Sequence, residues 1–350
     1  MRVQANNQMA VIASFRVLDE AYAWLRHQHL DAPANRPFWA MSLQWPTVRA
    51  QLRLQLQAGD YHFSPLEHVQ LQNGEWISRW QPTDAIVLKA MTLVLMPFMS
   101  QAMNLKAATH LKGNGGLKAA VRSTERFAQS NQFVIKTDIA DYYASISHHR
   151  LHEMLCDVIH DRRVQRLLWH LMNRVHVTRG EHRLIEHKSI PRGCPISPLL
   201  GAIYLLPLDE MARKHQLSYV RYMDDIVIFS KTRHQLKRII KGVYACLDEL
   251  ALTLAHDKTW IGRVSKGFDF LGYHISLNGL SMAKRSFDRM TVKLHRLFEQ
   301  GADHARLVQY LQHWIRWAKT GVSLHVKALI LKITEILRNT LNAQVPLKSK

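Results

Sequence analysis

The sequence predicts an α+β fold, short β segments among helices, and three features of the 350-residue chain predict it. Short β-rich segments stand at residues 133–139 and 218–230, while residues 11–30, 86–99 and 151–175 repeat their apolar positions at helical spacing. A hydrophobic content of 47% is enough for a substantial core, and the length suits two or three subdomains. Gly and Pro cluster at few places and no repeat or low-complexity tract is present, so the linkers are short.

In chain order, Phe15, Leu18, Tyr22 and Leu25 define a helix that the turn-rich segment 32–36 ends. An Ala-Gly-Asp-Tyr turn at 58–61 precedes short mixed segments, with Arg79 just before Pro82 and Asp84, and then an apolar helical run from Ile86. Residues 133–139 alternate, placing Phe133, Ile135, Thr137 and Ile139 on one face and Val134, Lys136 and Asp138 on the other. Leu155, Ile159, Leu167, Leu168 and Leu171 predict one long amphipathic helix over 151–175. Residues 218–230 are two β runs broken by Met-Asp-Asp, a hairpin with carboxylates at its tip. The last 70 residues are helical again, with Leu307, Leu311, Trp314 and Ile315 as one stripe and Val326, Ile330, Ile333 and Leu337 as another.

Lys and Arg outnumber Asp and Glu by 47 to 27, giving a formal charge of +20 that suits a polyanion, nucleic acid first, better than a small acidic substrate. Composition alone fits a ribosome-associated basic protein equally well. The last 70 residues hold 13 Lys and Arg against four acidic residues. Cys156, Cys194 and Cys246 form no CxxC pair, which argues against a disulfide framework or zinc ribbon and fits a reducing cytoplasm. The apolar stretch 85–99 carries Lys89 and is too short to cross a bilayer, and no basic region with an apolar core opens the chain. The expectation is a cytoplasmic protein without a membrane partner.

Nucleotidyl transfer needs two divalent cations about 4 Å apart, held by carboxylates rather than His or Cys. Asp138 at a strand end and Asp224 with Asp225 at a hairpin tip can supply three acidic groups if their strands are neighbours. So close a cluster repels itself unless cations neutralise it, which makes sense mainly of a metal site. Tyr222-Met223-Asp224-Asp225 alone matches an ordinary acidic turn as well; its neighbours decide between the two.

FVIKTDIADYYASISHHRL, at 133–151, resembles the first carboxylate motif of reverse transcriptases. IPRGCPISPLLGAIYLLPLD, at 190–209, resembles their Pro-Gln-Gly loop and following helix; physically, Gly193 permits close backbone approach and Pro198 suits a first helical turn. LTLAHDKT at 252–259 and FDFLGY at 268–273 match the motif near the leaving pyrophosphate and the hairpin that grips the primer end. With the aspartate pair these stand in family order over about residues 50–280, similar to bacterial enzymes of the group II intron, retron and defence-associated kind.

The resemblance implies a right-hand polymerase fold: an N-terminal helical extension over 1–40, fingers and palm over 41–284, and a basic helical thumb over 285–350. It implies an RNA-directed DNA polymerase that copies a structured, dedicated RNA into DNA from dNTPs with Mg²⁺ or Mn²⁺, phage defence being one programme. Asp138, Asp224 and Asp225 would hold the metals, with Ile139 as a further metal and nucleotide contact. Lys258 would sit near the pyrophosphate, and Tyr143 would close the pocket beneath the sugar and reject a 2′-hydroxyl. Arg79, Arg192 and Gly193 would meet the nucleotide, a guanidinium offering bidentate donors to phosphate. Lys284, Arg285, Arg289, Lys293 and Arg296 alternate with Phe287, Met290, Leu294 and Leu297, giving a cationic face for the duplex.

Three departures matter. Arg192 replaces the family's Gln, Asp84-Ala85 replaces its Asp-Arg pair, and HLKGNGGLK at 110–118 replaces a glycine-aromatic-arginine segment, its GNGG able to cradle phosphate or merely turn. Ser197-Pro198 stands where diversity-generating enzymes carry Ser-Gln, which sets that subgroup aside. An RNase H or HNH domain finds no room. His152, Cys156 and His160 share a helix face at metal-ligand spacing but lack a fourth group, and no motif supplies a nucleophile for a catalytic His. Untemplated or protein-primed DNA synthesis, and a non-catalytic maturase-like RNA-binding factor, are the alternatives on the same fold.

Overall fold

The computed structural model describes residues 7–70, 76–184 and 187–320. Two compact units interleave along the chain: the first takes the described residues up to Leu111, Ile139–Arg213 and Gly242–Leu254; the second takes the described residues of Lys112–Asp138, Lys214–Lys241 and those from Ala255 on.

The first unit opens with α1 (Gln8–Ile12), α2 (Phe15–Gln28), α3 (Pro37–Leu43) and α4 (Trp45–Ala58). The single helix expected over 11–30 is broken because Ser14 turns extended and its hydroxyl caps α2, accepting from the Val17 amide. Gly59, left-handed at φ +80°, ends α4. Strands β1 (Leu66–Gln70) and β2 (Trp76–Arg79) follow, then α5 (Pro82–Ala102). At 21 residues α5 exceeds the expected stretch, starting at Pro82 and continuing through Pro97, and it is long and apolar enough to cross a membrane by length and composition. Most of its apolar side chains from Ala85 to Met99 are buried and it packs on α2, the pattern of a core helix.

The second unit begins with α6 (Gly116–Ser130) and β3 (Phe133–Thr137). Back in the first unit come α7 (Tyr142–Ser145), α8 (His148–Cys156), α9 (Arg162–Met172), β4 (Val175–Thr178), β5 (Glu181–Leu184), α10 (Ser197–Tyr204) and α11 (Leu206–Lys214). The long helix expected over 151–175 is therefore two: α8 stops at Cys156, and the buried Asp161 starts α9 by accepting from the Arg163 amide at 3.1 Å. The other oxygen of Asp161 accepts from the Met9 amide at 3.0 Å, pinning α1 to α9. A sheet in the order β2-β1-β4-β5 joins these parts, with β1 and β4 parallel.

Strands β6 (Ser218–Tyr222) and β7 (Asp225–Ser230) form the expected hairpin, and α12 (Arg233–Glu249) carries the chain onward. The second unit ends with β8 (Trp260–Arg263), β9 (Phe268–Phe270), β10 (Tyr273–Ser276), β11 (Gly279–Met282), α13 (Lys284–Glu299) and α14 (His304–Lys319). Its main sheet is antiparallel in the order β6-β7-β3-β8. Central placement buries neighbours on both faces of β3, Val134 and Ile135, so the clean alternation expected for that strand does not translate into one wet face. Val134, Val227, Phe229, Phe268 and Tyr273 share a core with Phe287, Met290 and Leu294 of α13, and Leu307, Leu311, Trp314 and Ile315 of α14 join it. The stripe at Val326, Ile330, Ile333 and Leu337 lies outside the described residues.

Burial opposes ionisation of Asp161, but the hydrogen bonds from Arg163 and the Met9 amide outweigh it and hold the carboxyl below its usual 3.8. A lowered folded value contributes stability that is complete above the unfolded pKa and is lost as pH falls through the folded one. Asp161→Ala should therefore lower unfolding free energy by about 2 kcal/mol at pH 7, from the lost cap and the orphaned Met9 amide. Urea titrations of both proteins check this, and the gap should narrow as pH falls below 3.8.

Candidate active site

The β6–β7 hairpin pairs Tyr222 with Asp225, leaving only Met223 and Asp224 in the loop. Met223 takes a left-handed φ of +56°, uncommon for a side chain with a Cβ and a conformation found at functional turns. Arg221, fully buried, donates from its guanidinium to the Met223 carbonyl at 3.2 Å and braces the turn from beneath. Because β3 pairs with β7 through Thr137 and Ile226, the next step of the ladder sets Asp138 opposite Asp225. The three carboxylates predicted from separate motifs thus meet at one end of neighbouring strands.

Lys258 closes the cluster. It ends a short 3₁₀ turn at His256–Lys258, and its Nζ donates to Asp138 Oδ2 at 2.5 Å. The turn is fixed to β3 by the Ala255 amide on the Asp138 carbonyl at 2.8 Å and by a 2.6 Å contact between the Thr137 and Thr259 hydroxyls. Burial, then the Asp138 charge, lift Asp224 to about 6, and the same two causes lift Asp225 to about 6. Lys136 and Lys258 act against the rise at Asp225.

Among the described residues no group of three His, Cys, Asp or Glu stands ready-made around a cation. The donor chemistry nonetheless fits one: oxygen ligands only, half-buried, mutually repelling, and relieved here by the Lys258 ammonium and a hydrogen bond between Asp138 and Asp224. A divalent ion would take over the charge compensation that Lys258 now provides.

In the first unit, Tyr143 is partly exposed at α7, its ring edge-to-face on Tyr142 at 5.4 Å and its carbonyl accepting from the Ile190 amide at 2.8 Å. Tyr142 is buried and donates to the Gly201 carbonyl of α10. A Cβ at Gly201 would come within 3.2 Å of the Tyr142 ring and 3.6 Å of the Tyr143 ring, so Gly201 lets the helix seat both. Ile139 is buried in a bridge with Leu254 that bonds through the Ala140 amide, turning the Ile139 main chain away from Leu254. Arg192 and Gly193 are exposed on the loop before α10, and Gly193 has φ +72°, a value that favours glycine. Arg79 stands opposite Glu67 in the β1–β2 ladder, 3.9 Å from its carboxylate, so the structure gives it a local acidic neighbour.

All five cations of α13, Lys284, Arg285, Arg289, Lys293 and Arg296, are exposed, while Phe287, Met290, Leu294 and Leu297 are buried. The His152–Cys156–His160 face does not form: Cys156 lies 3.6 Å from His152, but α8 ends at Cys156 and His160 falls beyond it. His148 is buried and bonded to the Ser189 carbonyl at 2.6 Å and to Asn173, a structural histidine. Sequence reasoning missed Arg221 and Gly201, because an arginine in a strand and a glycine in a helix reveal nothing until their neighbours are known.

Residues 81–275 match the family described as Reverse transcriptase (RNA-dependent DNA polymerase). The chain is 26% identical to Protein YkfC of Escherichia coli (strain K12) over 268 residues, 64% of this chain and 70% of that one. It is 21% identical to the Putative COX1/OXI3 intron 2 protein of Saccharomyces cerevisiae, across 62% of this chain and 33% of that protein, and so spans about a third of that relative. A chain of the solved partial Cas6-RT-Cas1–Cas2 complex is similar at 19% identity and a TM-score of 0.42, over 68% of this chain and 40% of that one. The family match extends over more than half of the chain and contains the whole carboxylate cluster: this protein belongs to the reverse transcriptase family, the RNA-dependent DNA polymerases.

Proposed function

We propose that the chain extends a DNA primer on an RNA template from dNTPs, with two divalent cations, Mg²⁺ or Mn²⁺, gathered by Asp138, Asp224 and Asp225. The observation that carries this reading is the convergence of three carboxylates on neighbouring strands, two of them lifted to about 6 by burial and by Asp138. When bound, the cations would neutralise the attacking and leaving oxygens of the transferred phosphoryl group. Lys258, released from Asp138, is assigned to the leaving pyrophosphate, where its ammonium can give a proton. Ile139 contributes at the metal and nucleotide, Tyr143 closes the floor under C2′, and Arg192, Gly193 and Arg79 meet the triphosphate, Arg79 after leaving Glu67. The fingers and palm would be residues 41–284, and the exposed cations of α13 would hold the duplex as part of a thumb over 285–350. A structured, dedicated RNA as template and a place in phage defence complete the proposal; sequencing the nucleic acid that copurifies from cells tests both.

Replacing Asp224 and Asp225 together by Ala should abolish primer extension on RNA while leaving the circular dichroism spectrum unchanged. Mg²⁺ should raise the melting temperature of the wild type but not of this variant, because only the wild type binds the ion in its folded state. Protons compete for the same oxygens, so the Mg²⁺ concentration giving half the shift should rise as pH falls through about 6. Extension by the double variant at near wild-type rate would remove the metal site.

Tyr143→Ala and Tyr143→Val should raise ribonucleotide incorporation relative to deoxynucleotide by about tenfold or more, since loss of steric exclusion worth 1.4 kcal/mol or so is that factor. Steady-state discrimination ratios measure it; an unchanged ratio with unchanged activity would leave Tyr143 a packing residue.

Arg289, Lys293 and Arg296 together should contribute about two to three units to the slope of log affinity against log salt for a primer–template duplex, if each meets a phosphate. Neutralising all three should flatten the line accordingly and shorten products more than it slows single-nucleotide addition. Parallel lines for wild type and the triple variant would take α13 off the duplex.

A further inference from the structure

The turn within FDFLGY, Leu271 and Gly272 at φ +48° and +86°, is held by a lysine that the reading above does not use. Lys118 lies on α6, two residues past the last glycine of the GNGG loop. Its half-buried ammonium donates to the Tyr273 hydroxyl and to the main-chain carbonyls of Trp317, at 2.5 Å, and Ala318, at 3.4 Å. The Tyr273 hydroxyl itself donates to the Ala318 carbonyl at 3.0 Å. The same ammonium sits 4.8 Å from the centre of the Tyr273 ring and 4.7 Å from that of Trp317.

Trp317 and Ala318 belong to the last turn of α14, where carbonyls have no partner within the helix and carry the negative end of its dipole. Lys118 therefore caps α14 from another element, and with two aromatic faces it offsets a desolvation that draws its ammonium down to about 8. The turn is closed against the same helix and against α13. The Gly272 carbonyl accepts from Ser286 Oγ at 2.8 Å and from the Ala283 amide at 3.1 Å. A Cβ at Gly272 would stand 3.0 Å from Ser286 Oγ and 3.7 Å from the Trp317 ring, so no side chain fits between turn and helix.

We propose that Lys118 is a positioning residue for the primer: by tying the end of α14 to Tyr273 it sets the pose of the Leu271–Gly272 turn and with it the hold on the primer 3′ end. That the turn meets a primer rests on the reverse transcriptase reading; the tie itself does not.

The test uses the full chain, a DNA primer annealed to an RNA template, and the variants Lys118→Met, Lys118→Arg and Tyr273→Phe. Loss of a charge-assisted bond should weaken primer–template binding by about tenfold in Lys118→Met and reduce the nucleotides added per binding event. The rate of single-nucleotide addition at saturating primer–template should stay within about twofold of wild type, since the chemistry is untouched. Lys118→Arg keeps a cation at the two carbonyls and should recover most of the affinity, which loss of packing alone would not allow. Tyr273→Phe removes one hydroxyl from the same network and should shift binding in the same direction; it carries the test if Lys118→Met does not fold. Wild-type affinity and product length in the Met and Phe variants would overturn the proposal, as would a loss confined to the single-nucleotide rate. If the wild type extends no primer on RNA, the reverse transcriptase reading falls instead. Amide exchange at residues 271–273 then decides the tie, which predicts faster exchange in Lys118→Met and is refuted by equal rates.

Discussion

Electrostatic repulsion among Asp138, Asp224 and Asp225 is the constraint on which the rest of the second unit depends. Burial and mutual charge lift Asp224 and Asp225 to about 6, so the cluster destabilises the fold near neutral pH unless something compensates it. The sign follows from the direction: a raised carboxyl binds more protons folded than unfolded, and stability falls as pH climbs from 3.8 to 6. A floppy scaffold would relieve the strain by letting the carboxylates part. The scaffold here is a four-stranded antiparallel sheet with β3 and β7 at its centre, backed by Val134, Val227 and Phe229. Lys258, Lys136 and the Arg221 brace on Met223 then fix the geometry that the core makes rigid.

Much of this was legible in the sequence because the reacting groups lie where periodicity changes. Asp138 sits where an alternating strand stops, and Asp224 with Asp225 where two β runs meet, so a local pattern reveals each. Their convergence was not local. It depends on β3 choosing β7 as its neighbour, which no spacing encodes, and the family resemblance supplied what the pattern could not. The failures have the same cause. The helix expected over 151–175 carried a continuous apolar stripe, but Asp161 caps α9 and holds the Met9 amide, and these bonds are not visible in the spacing of apolar residues. The helical run expected from Ile86 begins earlier, at Pro82, because at the first turn of a helix proline gives up no bond.

The departures from the family pattern become intelligible one at a time. Where the family places an Asp-Arg pair, Asp84 here is almost wholly buried and is served by neutral donors, the Tyr61 hydroxyl at 2.6 Å and the Ser64 amide at 3.1 Å. Burial raises its carboxyl against those bonds and against the nearby Arg174 charge. Arg174, at the junction of α9 and β4, sits over the Trp80 ring, 4.0 Å from its centre, and finds no hydrogen-bond partner among the described residues. Arg174 thus acts on Asp84 as a field and not as a fork.

That difference has a consequence for the first unit. A bidentate arginine would hold Asp84 ionised and fixed by direction, whereas Tyr61 and Ser64 fix it by two single bonds and leave its charge to the nearby guanidinium of Arg174, which burial draws down to about 10. The joint between the segment before β1 and the start of α5 therefore rests on neutral hydrogen bonds around a carboxyl that burial pushes toward its protonated form. Such a joint tolerates either protonation state, because Tyr61 can donate to the carboxylate or accept from the acid. An alanine at position 85, itself buried, fits that arrangement: an arginine there would bring a second cation beside Arg174 into a space that already contains one without a hydrogen-bonded partner.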